Sequence, residues 1–266
     1  MSVDLRPLCS PIRNQGQCGS CTAFGTVGAW EEILRKLTPG DDTDLSEKHL
    51  FFCSGGTCNE GNTPDAVLNQ ATKGVCIESC LPYGITSSGI DSKCASGICD
   101  NWWEKGKKLA SWKSVKDVNE MKNILQQGHA LATTMAVHQS FMNFCAGVYH
   151  SLGASDPIVG YHMIGCVGFS DDLGAWLIRN SWGTGWGESG YVWIKYGDSE
   201  IDSEMYQLIP DGAIPPQPGP TPSPCPVGNG VAGIINFFPW ILGRKGRFYY
   251  MNFNKVSNCK KGGKRT

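Results

Sequence analysis

The order of hydrophobic periodicities along the chain limits its fold more than any other feature. Apolar residues recur at helical spacing early and in short, strand-length runs late. From Ser20 to Leu37, the residues Phe24, Val27, Trp30, Leu34 and Leu37 share one helix face, and Thr38-Pro39-Gly40 stops the helix. A shorter amphipathic stretch, roughly Asp117 to Gln127, carries Val118, Met121, Ile124 and Leu125 and ends at Gly128. The second half holds "LATTMAV", "YHMIGCVGF", "AWLIRNSWG" and "GYVWIKYG", short apolar runs bounded by Gly and Asp that read as strands. Helices first and strands later do not make a parallel βαβ sheet. They predict an α+β fold of two lobes.

The stretch "PDGAIPPQPGPTPSPCP", Pro210 to Pro226, ends that pattern, because proline at this density packs as neither helix nor sheet and reads as a semi-rigid spacer. The expected organisation is a body over residues 1–210, a Pro-rich linker over 211–226 and a small appendage over 227–266. Charge divides the same way. Up to Asp211 there are 15 basic and 24 acidic residues, and from Gly212 onward eight basic residues and no acid. The acidic body argues against nucleic acid as a partner. The appendage, apolar and then basic and aromatic, has three readings: a module closed by Cys225–Cys259 for a polyanionic or carbohydrate surface, a tail without a fold, or a membrane contact. For the last, Val227–Gly243 falls short of the ~20 apolar residues a span needs.

Thirteen cysteines in 266 residues point to an oxidising compartment, secreted or lysosome- and vacuole-like. The first residues, "MSVDLRPLCS", lack the apolar run of a secretory leader, so the start reads as that of a matured or partial chain. The cysteine count is odd, so at least one thiol remains unbridged. "NQGQCGSCTAF", Asn14 to Phe24, raises the question of which. Cys18 and Cys21 form C-x-x-C, open to four readings. A redox pair wants a preceding strand, and "RPLCSPIRNQG" is turn-rich instead. Zinc wants a second matching pair, and "CSGGTC" at 53–58 is a loose one. Two structural half-cystines are a third reading. In the fourth, Cys21 is a nucleophile whose thiolate is favoured by the helix N-terminus, with Gly19 and Ser20 small enough to admit a substrate and the Gln15 amide available to an oxyanion.

The fourth reading demands a base. Of the histidines His49, His129, His138, His150 and His162, the last stands out. If "HMIGCVGF" and "AWLIRNSWG" form a hairpin about "SDDLG", His162 and Asn180 are equidistant from residue 171 and face each other, so that the Asn amide can orient the imidazole. His150 has no such partner.

At this point the residues form a pattern. "NQGQCGSCTAF", "GYHMIGCVGF" and "IRNSWGTGWGESGYVWIK" together resemble the papain-like cysteine proteases over most of residues 4–210. The resemblance implies a two-lobe fold, with the nucleophile helix in a helical left lobe and an antiparallel β right lobe. It implies a cysteine endopeptidase acting through an acyl-enzyme, with Cys21 as nucleophile, His162 as base and then acid, Asn180 as orienting residue, and Gln15 with the Cys21 N–H at the oxyanion. Trp182 would cover the His162–Asn180 bond, with Trp186 packed nearby. Cys18 would bridge to Cys58, and Cys53 to a cysteine in the 76–99 cluster, with Cys166 a buried strand thiol. The right lobe looks most like cathepsin B, which would put Asp202 at the floor of a substrate pocket and leave Gly61 to pair with the substrate backbone. The histidine pair of that enzyme's occluding loop is missing between Cys58 and Ser114, as an open-cleft endopeptidase requires. No cofactor or metal is implied. The expected partners of a monomer are a polypeptide substrate and a propeptide or cystatin-like inhibitor. Thr22, Tyr161 and Glu60 depart from the family pattern of Trp, Asp or Gly, and Gly. The competing functions are an inactive peptide-binding relative and transglutaminase-like acyl transfer.

Overall fold

The computed structural model describes residues 1–84 and 89–212. The linker beyond residue 212, the appendage and the expected Cys225–Cys259 bridge lie outside the described residues.

Helices α1 (Cys21–Leu37), α2 (Glu47–Cys53) and α3 (Pro64–Ala71) form one half. Ser46 and Thr63 cap α2 and α3, each accepting from an N–H three residues on, and Pro64 opens α3 where its missing N–H costs nothing. The other half is a sheet. Its strands are β1 (Ser2–Asp4), β2 (Leu109–Val115), β3 (Leu131–His138), β4 (Val148–Tyr149), β5 (Ile158–Ser170), β6 (Ala175–Arg179), β7 (Tyr191–Lys195) and β8 (Met205–Pro210), with α4 (Val118–Gln126) between β2 and β3. Strand order is β2-β8-β3-β5-β6-β7-β4, with β1 added alongside β5. The pairs are antiparallel except β4–β7, two residues long and parallel. The fold is the mixed, two-part α+β arrangement expected, but short α2 and α3 had too few periodic residues to be read beforehand.

Helix α1 departs from its one-face reading. Every residue from Cys21 to Leu34 is buried, while Leu37 is exposed. The helix runs between the halves, with α2 and α3 on one side and β5 on the other, so it is buried on every face, with Glu31 and Glu32 accepting from the Leu45 and Ala130 N–H groups among otherwise apolar or small residues. Gly25 and Gly28 make the approach close enough. A Cβ on Gly25 would lie 2.8 Å from the Ile164 nitrogen, and one on Gly28 would collide with the Arg179 guanidinium. Glycine inside a helix costs about 1 kcal/mol against alanine. Here that cost lets the first turn of α1 reach the strand that carries His162.

Three disulfides between described residues, Cys18–Cys58, Cys53–Cys94 and Cys80–Cys99, bind the helical half. The first two follow the expectations, and Cys166 is a buried thiol in β5. Cys18–Cys58 closes a sequence separation of 40 residues. Closing a loop of that size limits the unfolded chain by about 4 kcal/mol. The paired substitution Cys18→Ala/Cys58→Ala is expected to lower unfolding free energy by about that amount in urea titration. A loss under about 1 kcal/mol would mean that the bridge does not constrain the unfolded chain.

Candidate active site

The C-x-x-C question is decided by connectivity. Cys18 is bridged to Cys58, while Cys21, the first residue of α1, remains a thiol. Neither a dithiol redox pair nor a shared metal site fits that arrangement.

Residues 13–15 lie antiparallel to residues 181–183. Gln15 N–H donates to the Ser181 carbonyl at 3.0 Å, Gly183 N–H donates to the Arg13 carbonyl at 3.0 Å, and Asn14 bridges Trp182. This pairing brings the loop ahead of α1 against the segment that follows β6. Gln15, Cys21, His162 and Asn180 are all buried there.

His162 Nε2 lies 2.8 Å from Asn180 Oδ1. The two are neighbours, though not by the route the hairpin symmetry suggested. The β5–β6 register runs from Ser170 opposite Ala175 to Gly165 opposite Arg179, with a bulge between Cys166 and Gly168. The turn is therefore centred beyond residue 172, and His162 lies opposite Met135 in β3. Asn180 stands just past the end of β6, where its N–H donates to the Gly190 carbonyl at 2.9 Å. From there its side chain reaches back to the imidazole.

The tautomer follows from a backbone donor. Ser181 N–H donates to the same Asn180 Oδ1 at 2.8 Å, so the atom facing the ring is the amide oxygen. An oxygen that cannot donate requires a proton on Nε2. Nδ1 is then the basic nitrogen, buried and without a hydrogen-bond partner among the described residues. Trp182 stacks on the imidazole at 4.8 Å and 27°, and Phe141 and Trp186 pack edge-on around Trp182. These rings exclude water from the His162–Asn180 bond.

The Cys21 sulfur lies against the backbone N–H of Met163, the residue after His162, and against those of Thr22 and Cys21 itself. The helix terminus was expected to lower the thiol's pKa. Burial outweighs it and pushes the Cys21 thiol up to about 12, the three N–H groups opposing. Burial likewise pushes His162 down to about 4 against the raising effect of Asn180. Each ion alone is disfavoured. A thiolate and an imidazolium formed together supply each other's counter-charge, and this offsets the cost of desolvation. The helix N–H groups assist that pair but do not by themselves ionise the thiol.

Gln15 is fixed at both ends of its amide. Ser181 Oγ donates to Oε1 at 2.6 Å, and Nε2 donates to the Cys18 carbonyl at 3.1 Å. An amide nitrogen carries two protons, so Nε2 keeps a second donor beyond the one given to Cys18. Ser181 thus holds both Asn180 and Gln15. Sequence reasoning missed it, although it sits inside the quoted "NSWG".

Other expectations change. What approaches Gly19 is the chain's own loop, since a Cβ there would lie 2.9 Å from the Cys58 carbonyl oxygen and 3.1 Å from Gly61 Cα. Ser20 is buried rather than facing a substrate. Gly61 donates its N–H to the Thr57 carbonyl at 2.7 Å and accepts from Thr57 at 3.3 Å, so its N–H is spent inside its own loop. Asp202 is not brought to the site. Its Oδ2 accepts from Trp176 Nε1 at 3.1 Å and from Gly197 N–H at 2.8 Å. Trp176 pairs with Phe169, seven residues along β5 from His162, roughly 23 Å of strand. His150 is exposed, its Nδ1 near the Ser151 carbonyl.

The Papain family cysteine protease model matches residues 1–210. The chain belongs to the papain family of cysteine proteases. It is 32% identical over 247 residues to "Probable cysteine protease RD21B" of Arabidopsis thaliana, covering 85% of this chain and 50% of that protein. It is also 32% identical to "Cathepsin B-like CP2" of Giardia intestinalis, covering 77% of this chain and 72% of that protein. A crystal structure of a Carica candamarcensis cysteine protease in complex with E-64 matches with a TM-score of 0.61 at 26% identity, over 78% of this chain and 97% of that one. The chain spans half the length of RD21B and 59% of that of "Cysteine proteinase 1" of Entamoeba histolytica. The mixed helix-and-sheet architecture is accordingly papain-like.

Proposed function

We propose that the protein is a cysteine endopeptidase. Cys21 attacks the peptide carbonyl while His162 Nδ1 takes the thiol proton and then delivers it to the leaving amine. Water hydrolyses the resulting thioester and frees the second product and the thiol. Asn180 orients the imidazole, and the oxyanion is held by the remaining Gln15 donor and the Cys21 N–H. The observation that supports this reading is the Asn180 Oδ1 shared by His162 and the Ser181 N–H, since an imidazole protonated on Nε2 keeps Nδ1 as its basic nitrogen, with the Cys21 sulfur against the N–H of the next residue, Met163.

Polypeptide is the substrate class, and a propeptide or a cystatin-like protein fits the same cleft as an inhibitor. The three disulfides favour a secreted or lysosome- and vacuole-like compartment for a monomer. We read residues 211–226 as a spacer and residues 227–266 as a basic, aromatic appendage for a polyanionic surface, on charge and composition.

An epoxide-type thiol inhibitor is expected to label the protein at one site and not to label Cys21→Ala. A peptide library should be cleaved internally by the parent and left intact by the variant. Cleavage that survives Cys21→Ala, or incorporation of amines in place of hydrolysis, would sink the proposal. Because Asp202 is held by Trp176 and Gly197, Asp202→Ala should leave the preference between Arg and Phe substrates unchanged.

A further inference from the structure

Ser20 precedes α1 in the position where a serine side chain ordinarily caps a helix, accepting from the N–H of the second or third helical residue. It makes no such bond. Its oxygen lies 2.7 Å from the Tyr83 phenol oxygen, and the phenol donates to the Gln15 carbonyl at 2.7 Å. A phenol has one proton and a carbonyl has none to give. The Tyr83 proton therefore goes to Gln15, and the Ser20 proton is directed at the Tyr83 oxygen at 2.7 Å, with the Cys18 carbonyl a longer second acceptor at 3.4 Å. All three residues are buried, and the Tyr83 ring is held edge-on against Phe24 at 4.8 Å.

The consequence lies at the helix end. The N–H groups of Ala23 and Phe24 both go to the Ser20 carbonyl, at 3.0 and 3.2 Å. Those of Cys21 and Thr22 are left for the Cys21 sulfur. A Ser20 hydroxyl turned over the helix end would accept from Thr22, the second helical residue, and withdraw that donor from the sulfur. The Tyr83 phenol instead keeps the hydroxyl turned aside.

We propose that Tyr83 is a positioning residue for the nucleophile: it holds the Ser20 hydroxyl off the helix end, anchors it to the Gln15 backbone, and so reserves the first N–H groups of α1 for the Cys21 thiolate. This rests on the reading of Cys21 as nucleophile and extends it to a residue far away in the sequence. A merely structural tyrosine would affect stability. This one acts on the ionisation of a single thiol, and through a second side chain.

The test is the rate of Cys21 alkylation by iodoacetamide, read at that residue by mass spectrometry as a function of pH. Tyr83→Phe keeps the ring and removes the hydroxyl. It is expected to slow neutral-pH alkylation about tenfold and move the profile to higher pH. Ser20→Ala removes the competing acceptor and is expected to stay within about twofold of the parent, as is Ser20→Ala/Tyr83→Phe, in which nothing remains to take the Thr22 donor. Tyr83→Phe equal to the parent would overturn the proposal, as would a double variant no faster than Tyr83→Phe. If Tyr83→Phe does not fold, Ser20→Ala decides alone, because a tenfold loss there would mean that the Ser20–Tyr83 bond itself is what the thiol needs. A parent protein whose Cys21 reacts no faster at neutral pH than a thiol in the unfolded chain would defeat the nucleophile reading instead.

Discussion

Replacement of His162 by alanine should reduce peptide hydrolysis by at least about 10³-fold, beyond the loss of one general base alone. The physical reason is the coupling of two groups that burial separately holds neutral. Burial places the Cys21 thiol at about 12 and the His162 imidazolium at about 4, so neither ionises on its own near pH 7. Only proton transfer from sulfur to Nδ1 makes both charges at once, and the variant has nowhere to put the proton. Its residual thiolate at pH 7 would be on the order of 10⁻⁵ of the protein. The rate constant for hydrolysis of a quenched peptide, paired with iodoacetamide alkylation against pH, measures this directly. In His162→Ala, alkylation should climb only toward the alkaline limit. Neutral-pH alkylation within tenfold of the parent would show that the helix terminus ionises Cys21 without the imidazole.

The second large effect is on stability, which should fall as pH rises from about 6.5 to 8. Burial raises Glu32 to about 8 and Glu78 to about 7, and it raises Glu31 and Glu47 as well. Glu32 accepts from Ala130 N–H with one oxygen while the other has no partner among the described residues. The folded protein keeps protons that the unfolded chain releases above its ordinary value of 4.5. These carboxyl groups contribute fully below that value, and the contribution is lost as pH rises toward the folded values. Three histidines act in the opposite sense. His49, His129 and His162 are lowered by burial, so stability from them grows with pH through their unfolded value of 6.5 and is complete only about a unit above it. Above 6.5 the carboxylate loss exceeds what remains of that gain. At 1.36 kcal/mol per unit, Glu32 and the more solvent-screened Glu78 account for roughly 2 kcal/mol by pH 8, and the last of the histidine gain offsets part of it, leaving a fall in Tm of about 2–6 °C. Calorimetry at the two pH values checks it, and Glu32→Gln, which cannot ionise, should flatten most of the slope. A Tm that rises over this interval would show that these carboxyl groups are solvated.

Motif and spacing single out Cys21, His162, Asn180 and Gln15, and all four are buried, with Asn180 on His162 and Ser181 joining Asn180 to Gln15. Their roles as one catalytic set are what we propose. The Cys18–Cys58 bridge was implied by the family resemblance and is present. The hairpin argument succeeded for an incomplete reason. It found two residues that touch but placed them across the ladder, because a bulge between Cys166 and Gly168 and the early end of β6 cannot be read from periodicity. Asp202 failed for a related reason. A motif alignment carries no information about which neighbours a carboxylate meets, and here they are an indole N–H and a turn N–H.

Local sequence determined the elements whose causes are local: the long α1, the strand-length apolar runs of the second half, and the residue types a thiol mechanism needs. Tertiary structure alone decided three things. It chose the tautomer of His162, because that depends on a Ser181 N–H at a distant strand end. It set the ionisation of Cys21 and His162, because desolvation depends on what packs around a group and not on what precedes it in the chain. It also brought Tyr83 to Ser20, a contact across 63 residues of sequence with no local signature. Interactions between residues close in the chain leave periodic or capping patterns, whereas those closed by folding leave none until the backbone is in place.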